Sequence, residues 1–435
     1  MRAASTYTLA SCALAVLVGC ADKEAASPAD ARDAASAMAT TADACSGDPG
    51  PDAGPQAYGP NSPNLFYVGR LDLSDPAGPW LIASGSTLVT TFRGSEADVE
   101  LNDNAVGGVD FFDVFIDDLP PFVLTPTSGA SWYDLLPVTD AGEPIALGCG
   151  VHTLVLVKRT EATVGITQVL GIRLAGATPS AAAPSTHRIE FVGDSLLCGY
   201  GIEADSPDAK ACTDNGLGQP GYGQGVEDAY QAFGVVTARL LDAQWHITCE
   251  SGVGLVRNTD NGYVDPRPMP EIYPLLYPET TANPTLWPIA QWAASEGEPV
   301  VALPDVVVIE LGGNDLSLWT ADGGQRPAIA VGSPSEGTDA GPSLVGGFVA
   351  FIDQLAMDFP SATFVLVANA PEVQEAIDAV VGYYADAAGG GAPRVYGYAD
   401  GLPFPGGGCD GHPNVQQQME AGQRMAAYVK QLMSW

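Results

Sequence analysis

A serine follows the first apolar strand in the second half of the chain. Residues 188–192 form that strand, and the sequence GDS then places Ser195 at its carboxyl end, where a helix is about to begin. A serine hydroxyl becomes a nucleophile only beside a base that takes its proton and donors that hold the developing oxyanion. A Gly-Asp-Ser turn by itself more often caps a helix, so the role of Ser195 depends on partners from elsewhere in the sequence.

One of the four histidines is placed to be that base. His412 stands in CDGHPN, a turn-rich loop between the last predicted strand and the last helix, at the same sheet edge as Ser195. Asp410, two residues upstream, is suited to accept the other imidazole N–H and fix its tautomer, as the acid of a triad does. The alternative for Asp410 is a turn former that bonds its own backbone. The other histidines lie in the β-rich half or within strands: His152, His187 and His246.

Two further strand ends supply candidate oxyanion donors. Asn314, in LGGND, follows an apolar strand at residues 306–311, so its side-chain amide is expected at the same rim. Gly254, in SGVG, follows the strand that ends at Cys249, and a glycine lets a backbone N–H approach a substrate oxygen closely. Four strand ends each deliver a group that acyl transfer requires, which is more specific than any single motif.

The elements that position these residues fall into two halves. Residues 64–174 contain short β-rich segments separated by Gly, Pro, Asp and Asn, a pattern typical of a β-sandwich. After residue 187, strands alternate with amphipathic helices, which predicts a parallel, doubly wound sheet whose ligand site lies at the carboxyl ends of its strands. We therefore expect a sandwich domain over residues 56–180 and an α/β domain over residues 187–435.

The amino-terminal segment predicts export. The apolar residues 9–18 are too short to span a bilayer and run into the sequence LVGC, which is typical of a bacterial lipoprotein signal over residues 1–20. Cys20 would then become the acylated first residue, and residues 21–55, rich in Ala, Asp, Ser, Gly and Pro, would form a flexible linker. An ordinary cleaved signal peptide is the alternative. The preferred hypothesis is a protein that is lipid-anchored to the cell envelope or surface.

The charge of the chain limits the classes of partner that it can bind. It carries 52 acidic and 17 basic residues, a formal net charge of −35, and the acidic residues are spread along the sequence. Such a surface is solvated and excludes nucleic acids or anionic membranes recruited by basic patches. A neutral partner fits better, with membrane contact only through the lipid.

The cysteines indicate disulfides. Six of the eight lie after residue 20, and thiols in an oxidising compartment pair. Sequence alone leaves 15 pairings open, and the close spacing of Cys198 and Cys212 near the predicted active-site loop makes them the first expected pair. A metal site is the weaker interpretation, because the cysteines lack zinc-ligand spacing.

The four motifs, in this order, resemble the SGNH (GDSL-type) hydrolase superfamily. The segments are IEFVGDSLLCGYG, ESGVGLVRN, GGND and GCDGHPN. Within the β-rich half, VTTFRGSEADVELND and GVHTLVLVKRTEATVG are similar to the jelly roll of carbohydrate esterase family 2. The resemblance covers nearly all of the chain after about residue 60. It implies an all-β jelly-roll sandwich followed by an α/β SGNH domain with a flavodoxin-like parallel sheet.

That resemblance also implies an activity and roles for residues. The activity is deacetylation of an acetylated polysaccharide or oligosaccharide by a monomeric enzyme, with no cofactor. Ser195 would be the nucleophile and His412 the base, while the N–H groups of Ser195 and Gly254 and the amide of Asn314 would form the oxyanion hole. Many superfamily members place the acid three residues before the histidine, where this chain has Cys409. Asp410, two residues before it, agrees with the Asp-x-His form of some members of the narrower family, while others lack the acid and work as dyads. The contribution of Asp410 thus stays open.

Two other functions fit parts of the sequence. One is a lipase-like or thioesterase SGNH hydrolase with an acyl-chain groove, and the other is a non-catalytic carbohydrate-binding lipoprotein. Residues 257–298 and 320–342 are expected to be long loops, whose aromatic side chains either stack on sugar rings or pack locally. Examples in or directly beside these loops are Tyr273, Tyr277, Trp287, Trp292 and Trp319.

Overall fold

The structure is a computed structural model of the chain. It describes residues 55–94, 96–105, 109–139, 142–143, 145, 147, 150–175, 185–213, 223–260, 265–277, 286–287, 291–292, 300–318, 320, 322–334, 342–387, 392–402 and 405–435. The predicted signal, the lipidation site Cys20 and most of the predicted tether lie outside these residues. Every helix within the described part is too short or too polar to span a bilayer.

Two antiparallel sheets make up the first half. One contains β1 (Gln56–Tyr58), β3 (Leu71–Asp72), β4 (Trp80–Leu81), β6 (Ala97–Ala105), β9 (Gly129–Asp134) and β11 (Gly165–Leu174). The other contains β2 (Phe66–Val68), β5 (Thr87–Arg93), β7 (Phe112–Ile116), β8 (Phe122–Leu124) and β10 (Val151–Lys158).

These sheets bury one shared core. Buried and more exposed side chains alternate along β6, as expected of a strand with one face on a core. Val99 and Leu101 from one sheet join Leu88 and Leu156 from the other in a single cluster of fully buried residues. The predicted β-sandwich is confirmed, and the jelly-roll connection stays a prediction.

The second half is built on a parallel sheet of five strands. In space their order is β13 (Ala243–Cys249), β12 (His187–Gly193), β16 (Val306–Glu310), β17 (Thr363–Val367) and β18 (Arg394–Tyr398). In chain order this is 2-1-3-4-5, the flavodoxin-like arrangement, whose ligand site lies at the switch between the first and third strands. Ser195 and Asn314 follow those two strands. The predicted parallel sheet is therefore confirmed.

Helices cover this sheet, and their bounds are α1 (Ser195–Cys198), α2 (Phe233–Leu240), α3 (Met269–Ile272), α4 (Leu344–Asp358), α5 (Pro371–Asp386) and α6 (Val415–Met433). Apolar side chains of α2 and α6 join one core cluster, and those of α4 and α5 join another. A short hairpin pairs β14 (Gln291–Trp292) with β15 (Val300–Val301).

Part of the stretch 257–298 is core rather than loop, which corrects the sequence-based expectation. Met269 and Ile272 of α3 and the following Tyr273 are at most 1% exposed and belong to the core beneath α4. The Arg70 guanidinium, from the sandwich half, lies 4.2 Å from the Trp287 ring centroid. These aromatic side chains therefore pack between the halves, and only the local-packing alternative holds for Tyr273 and Trp287.

Candidate active site

Asp194 caps the short helix α1. Its Oδ1 accepts a hydrogen bond from the Leu196 N–H at 3.0 Å, and the helix ends at Gly199 in a left-handed conformation. The capping role that a Gly-Asp-Ser turn often has thus belongs to Asp194. Ser195 is left at the first helical position with its hydroxyl directed to another partner.

That partner is His412. Ser195 Oγ lies 2.7 Å from His412 Nε2, although the two residues are far apart in sequence. His412 lies three residues before the start of α6, whose amino terminus is closed by a capping box between Asn414 and Gln417. The capping box fixes where the helix begins, and therefore where the preceding loop presents the imidazole.

The other imidazole nitrogen has a backbone partner. His412 Nδ1 lies 2.9 Å from the Cys409 carbonyl oxygen, so with Nε2 facing the serine as acceptor, the Nδ1 proton is donated to that carbonyl. Asp410 is exposed, and its Oδ2 accepts from the Tyr200 hydroxyl at 3.0 Å. This differs from the expectation that Asp410 accepts the imidazole N–H. The Asp410 backbone is left-handed within the turn (φ 49°), and its carboxylate bonds Tyr200 while the Cys409 carbonyl takes the imidazole proton.

Burial sets the protonation of the base. It lowers the pKa of His412 below the usual 6.5, while the Cys409 carbonyl and the charge of Asp410 act in the opposite direction. A neutral imidazole is the form that can accept a proton from Ser195. The site therefore favours the catalytically competent form of the base at neutral pH.

Asn314 lines the same cleft as Ser195 and His412, as predicted, with its amide already engaged. Its Nδ2 donates to Asp194 Oδ2 at 2.9 Å and to the Val253 carbonyl oxygen at 3.0 Å. These bonds hold the nucleophile turn and the loop after β13 together. For Asn314 to donate to a substrate oxygen, one of its two Nδ2 hydrogens must be shared between that oxygen and its present acceptor.

Gly254 was predicted to direct its N–H into the cleft, but it is not among the residues that line it. Its N–H donates to Asn258 Oδ1 at 3.0 Å, and a Cβ at this position would lie 2.1 Å from the Arg257 carbonyl oxygen. Only a glycine fits at position 254, because the Arg257 carbonyl oxygen occupies the space that a side chain would need. The glycine of SGVG that lines the cleft is Gly252, whose φ of 81° also favours glycine.

Two buried acids that the sequence reasoning missed support the nucleophile turn. Burial raises the pKa of Asp194 to about 6, and it raises the pKa of Glu310, at the end of β16, well above its usual range. Asn369 Nδ2 donates to Glu310 Oε1 at 2.8 Å. The signal in the sequence is a glutamate closing the apolar run VVVIE, since a charged residue at the end of a buried strand needs a partner.

The disulfides differ from the expected pair. Cys198 bonds Cys249, and Cys212 bonds Cys409, so the predicted pairing of Cys198 with Cys212 is wrong. The first bridge joins α1 to the end of β13, and the second anchors the turn that carries His412. The other two cysteines that follow residue 20, at positions 45 and 149, lie outside the described residues.

The described residues offer one group of three side chains with metal-ligand atoms within 4.8 Å of one another: Glu161, Cys198 and Glu227. The Cys198 sulfur is bonded to Cys249, so it is not a thiolate. Both carboxylate oxygens of Glu161 accept hydrogen bonds from Ser251. Two of the three members, Glu161 and Cys198, are thus already engaged in structural contacts.

A cleft of about 720 Å³ surrounds Ser195. Its walls mix apolar and polar side chains, among them Leu196, Tyr200, Thr213, Thr259, Leu316 and Ser317. Tyr277 lies elsewhere and donates a hydrogen bond to Asp72 of the sandwich. Trp319 and the side chain of Trp292 lie outside the described residues.

The chain is similar to known carbohydrate esterases. A family model described as the carbohydrate esterase 2 N-terminal region matches residues 67–184. The cellulase/esterase CelE of Acetivibrio thermocellus is 34% identical over 265 residues, 60% of this chain, and the match spans 28% of that relative's length. An acetylxylan esterase/glucomannan deacetylase of Cellvibrio japonicus is 25% identical over 86% of this chain and 90% of its own length.

Solved structures give the same relationship. A family two carbohydrate esterase from Clostridium thermocellum, in complex with cellohexaose, matches with a TM-score of 0.61 and 26% identity, covering 85% of this chain and 99% of that one. A family two esterase from Cellvibrio japonicus shares the fold, with a TM-score of 0.65 and 21% identity over 88% of this chain and 98% of that one. These comparisons confirm the resemblance that the motifs indicated, and they support a carboxylic ester hydrolase activity.

Proposed function

We propose that the chain, which resembles SGNH hydrolases of carbohydrate esterase family 2, is a serine esterase that removes O-acetyl groups from a polysaccharide. The observation that carries this proposal is the 2.7 Å contact of Ser195 Oγ with His412 Nε2 inside an open cleft. A nucleophile paired with a neutral base is the minimum that acyl transfer requires.

The proposed reaction has two halves. In the first, Ser195 Oγ attacks the acetyl carbonyl carbon while His412 Nε2 takes the hydroxyl proton. The tetrahedral intermediate collapses, the proton passes from His412 to the departing sugar oxygen, and acetyl remains on the serine. In the second, His412 takes a proton from water, the resulting hydroxide attacks the acyl-enzyme, and acetate leaves as the proton returns to Ser195.

The oxyanion donors follow from the lining of the cleft. We assign this role to the N–H groups of Ser195 and Gly252 and to the amide of Asn314, with Gly252 replacing Gly254. In the free enzyme Asn314 Nδ2 donates to Asp194 and to the Val253 carbonyl oxygen. As negative charge develops on the acetyl carbonyl oxygen of the substrate, that oxygen attracts one of these two amide hydrogens. Such donors act mainly on the transition state.

A neutral, acetylated glycan of the xylan, mannan or glucan type is the proposed substrate. Two of the relatives named above are a cellulase/esterase and an acetylxylan esterase/glucomannan deacetylase, and a similar esterase was solved with cellohexaose. A net charge of −35 disfavours acidic polymers through long-range repulsion.

Acetate release decides the proposal. Purified protein is incubated with a chromogenic acetate ester, the matching octanoate ester, and acetylated xylan, mannan and glucan, with Ser195→Ala as the control. We expect acetate from at least one glycan, faster turnover of acetyl than octanoyl ester, and loss of both in the variant. Faster octanoyl turnover would instead point to a lipase-like enzyme. Hydrolysis that persists in Ser195→Ala would rule out Ser195 as the nucleophile.

We further propose export with a lipid anchor on Cys20, on the basis of the LVGC sequence after an apolar segment. The wild-type protein, expressed in a bacterium that acylates lipoproteins, should partition into detergent. Cys20→Ser should move it to the aqueous phase. An unmodified amino terminus on a fully aqueous wild-type protein would contradict the anchor.

A further inference from the structure

We infer that Glu161, a residue of the sandwich half, is a positioning residue that holds the oxyanion loop of the hydrolase half in place. This inference rests on the proposed function. Glu161 Oε2 accepts a hydrogen bond from the Ser251 N–H at 2.7 Å, and Oε1 accepts from the Ser251 hydroxyl. One carboxylate thus takes both donors of a single serine at the rim of the cleft.

The serine that it holds adjoins the reacting centre. Ser251 directly precedes Gly252, and the two residues line the cleft together with Ser195. On its other side this loop begins at Cys249, which is bonded to Cys198 of α1. The loop is therefore fixed relative to the nucleophile by a covalent bond at one point and by a carboxylate from the sandwich at the next.

The segment that carries Glu161 is itself held rigidly. Lys158 Nζ, fully buried, donates to the Thr160 carbonyl oxygen at 2.7 Å and to the Glu161 carbonyl oxygen at 3.2 Å. The same ammonium pairs with buried Asp110 at 3.0 Å. A buried charge that is fully bonded has little freedom to move, so these contacts fix the backbone from which the Glu161 side chain extends.

A second contact ties this segment to the hydrolase half. Arg159 Nε donates to the Glu227 carbonyl oxygen at 2.9 Å, and its guanidinium pairs with Glu203 near the surface. The sandwich thus inserts a short run of buried polar residues, 158–161, next to the elements that carry Ser195 and Gly252. The sandwich therefore supports the active site from behind the residues that line the cleft.

Loss of the Glu161 carboxylate should act on turnover. Without it the Ser251 N–H and hydroxyl lose their acceptors, and Gly252 is free to shift relative to Ser195. A displacement of about 1 Å in a catalytic group can cost on the order of 10² in rate. Since oxyanion donors act mainly in the transition state, kcat should fall while KM changes little.

The test compares Glu161→Ala, Glu161→Gln and a matched control, Glu203→Gln. The control removes a charge from the same interface between the halves, at an exposed residue outside the cleft lining, and Arg159 keeps its bonds to the Glu227 carbonyl oxygen and to Asp113 without it. We expect Glu161→Ala to lower kcat by about ten- to a hundredfold at nearly constant KM, Glu161→Gln to restore part of it by keeping one acceptor oxygen, and Glu203→Gln to retain wild-type kcat. Equal losses in Glu161→Ala and Glu203→Gln, or a kcat for Glu161→Ala within twofold of wild type, would overturn the inference.

Two measurements keep the result interpretable. The rate at which a fluorophosphonate labels Ser195 reports the serine and its oxyanion donors without any acetyl substrate, and it should fall in parallel with kcat. If the wild type labels well but releases no acetate, the proposed substrate fails, and slower labelling of Glu161→Ala still supports the inference. Should Glu161→Ala not fold, Glu161→Gln and Ser251→Ala replace it, and unchanged labelling in both would overturn the inference.

Discussion

Asp410 accepts a hydrogen bond from the Tyr200 hydroxyl at 3.0 Å. The ring of Tyr200 in turn packs edge-on against the His412 imidazole, with the ring centroids 4.9 Å apart. The acid nearest to the base therefore holds an aromatic neighbour of that base, while the Cys409 carbonyl takes the imidazole N–H. This arrangement favours a serine–histidine dyad in which Asp410 acts through its charge and through Tyr200.

Asp410→Ala is expected to keep most of the activity. In a triad, loss of the acid costs about 10⁴ in kcat, whereas here the carbonyl that orients His412 remains. His412→Ala should lose about 10² to 10⁴ in rate, because the proton acceptor disappears. Initial rates on an acetyl ester compare the two variants, and Tyr200→Phe, which keeps the ring and removes only the hydroxyl, serves as the control. Equal damage from Asp410→Ala and His412→Ala would restore the triad.

The acid limb of the pH profile should lie below pH 6.5. Burial lowers the pKa of His412, so the imidazole stays neutral and active until the pH falls through that lowered value. Activity is lost below it because a protonated imidazole cannot accept the serine proton. Asp410 opposes this shift through its charge, so Asp410→Asn should move the limb to still lower pH. Values of kcat/KM measured from acid to neutral pH check both, and a limb above pH 6.5 in the wild type would contradict the structure.

Gly252→Ala and Gly254→Ala should fail in different ways. At Gly252 the φ of 81° and the position in the cleft wall predict a loss of kcat through strain in the oxyanion loop. At Gly254 a Cβ would overlap the Arg257 carbonyl oxygen, so the expected effect is a lower melting temperature. Thermal melts beside kinetics on the surviving protein separate the two. A selective loss of kcat in Gly254→Ala, with its melting temperature unchanged, would return the donor role to Gly254.

Asn314→Ala is expected to lower kcat by about 10² to 10³, the usual effect of deleting one oxyanion donor. The side chain also bridges Asp194 and Val253, so part of the loss could come from a looser cleft. Asn314→Asp keeps the shape but removes the same donors, so the melting temperature of each variant is measured beside kcat: a looser cleft lowers the melting temperature, whereas loss of the oxyanion donor lowers kcat alone. If Asn314→Asp remains as active as the wild type, Asn314 donates nothing to the reaction.

The sequence predicted best where a feature is local. The apolar spacing of residues 344–358 predicts an amphipathic helix, and α4 has these bounds, with Ser343 as its cap. The pattern of residues 228–242 also predicts a helix, but α2 begins only at Phe233, because Asp228 Oδ1 accepts from the Tyr230 N–H and forms a turn first. The four motifs located the strand ends that surround the cleft for the same local reason.

Features that join distant segments were beyond the sequence. Cys212 bonds Cys409 across 197 residues, and their spacing carries no sign of this. Asp410 looked like the partner of His412 because it is close in sequence, yet the turn directs its carboxylate to Tyr200. Glu161 reaches the site from the other half of the chain, and only the packing of the two halves reveals it.

The bridge between Cys212 and Cys409 should matter for turnover as well as for stability. Cys409 supplies the carbonyl that receives the His412 N–H, and its own N–H donates to the Gly201 carbonyl oxygen at 3.1 Å. Replacing both cysteines with alanine frees one side of this turn, so we expect a cost of about 2 to 5 kcal/mol in unfolding free energy together with a lower kcat. KM should change little, because the cleft walls formed by the other loops stay in place. Kinetics well below the melting temperature of the double variant separate the two effects, and a wild-type kcat under those conditions would show that the capping box and the turn alone position His412.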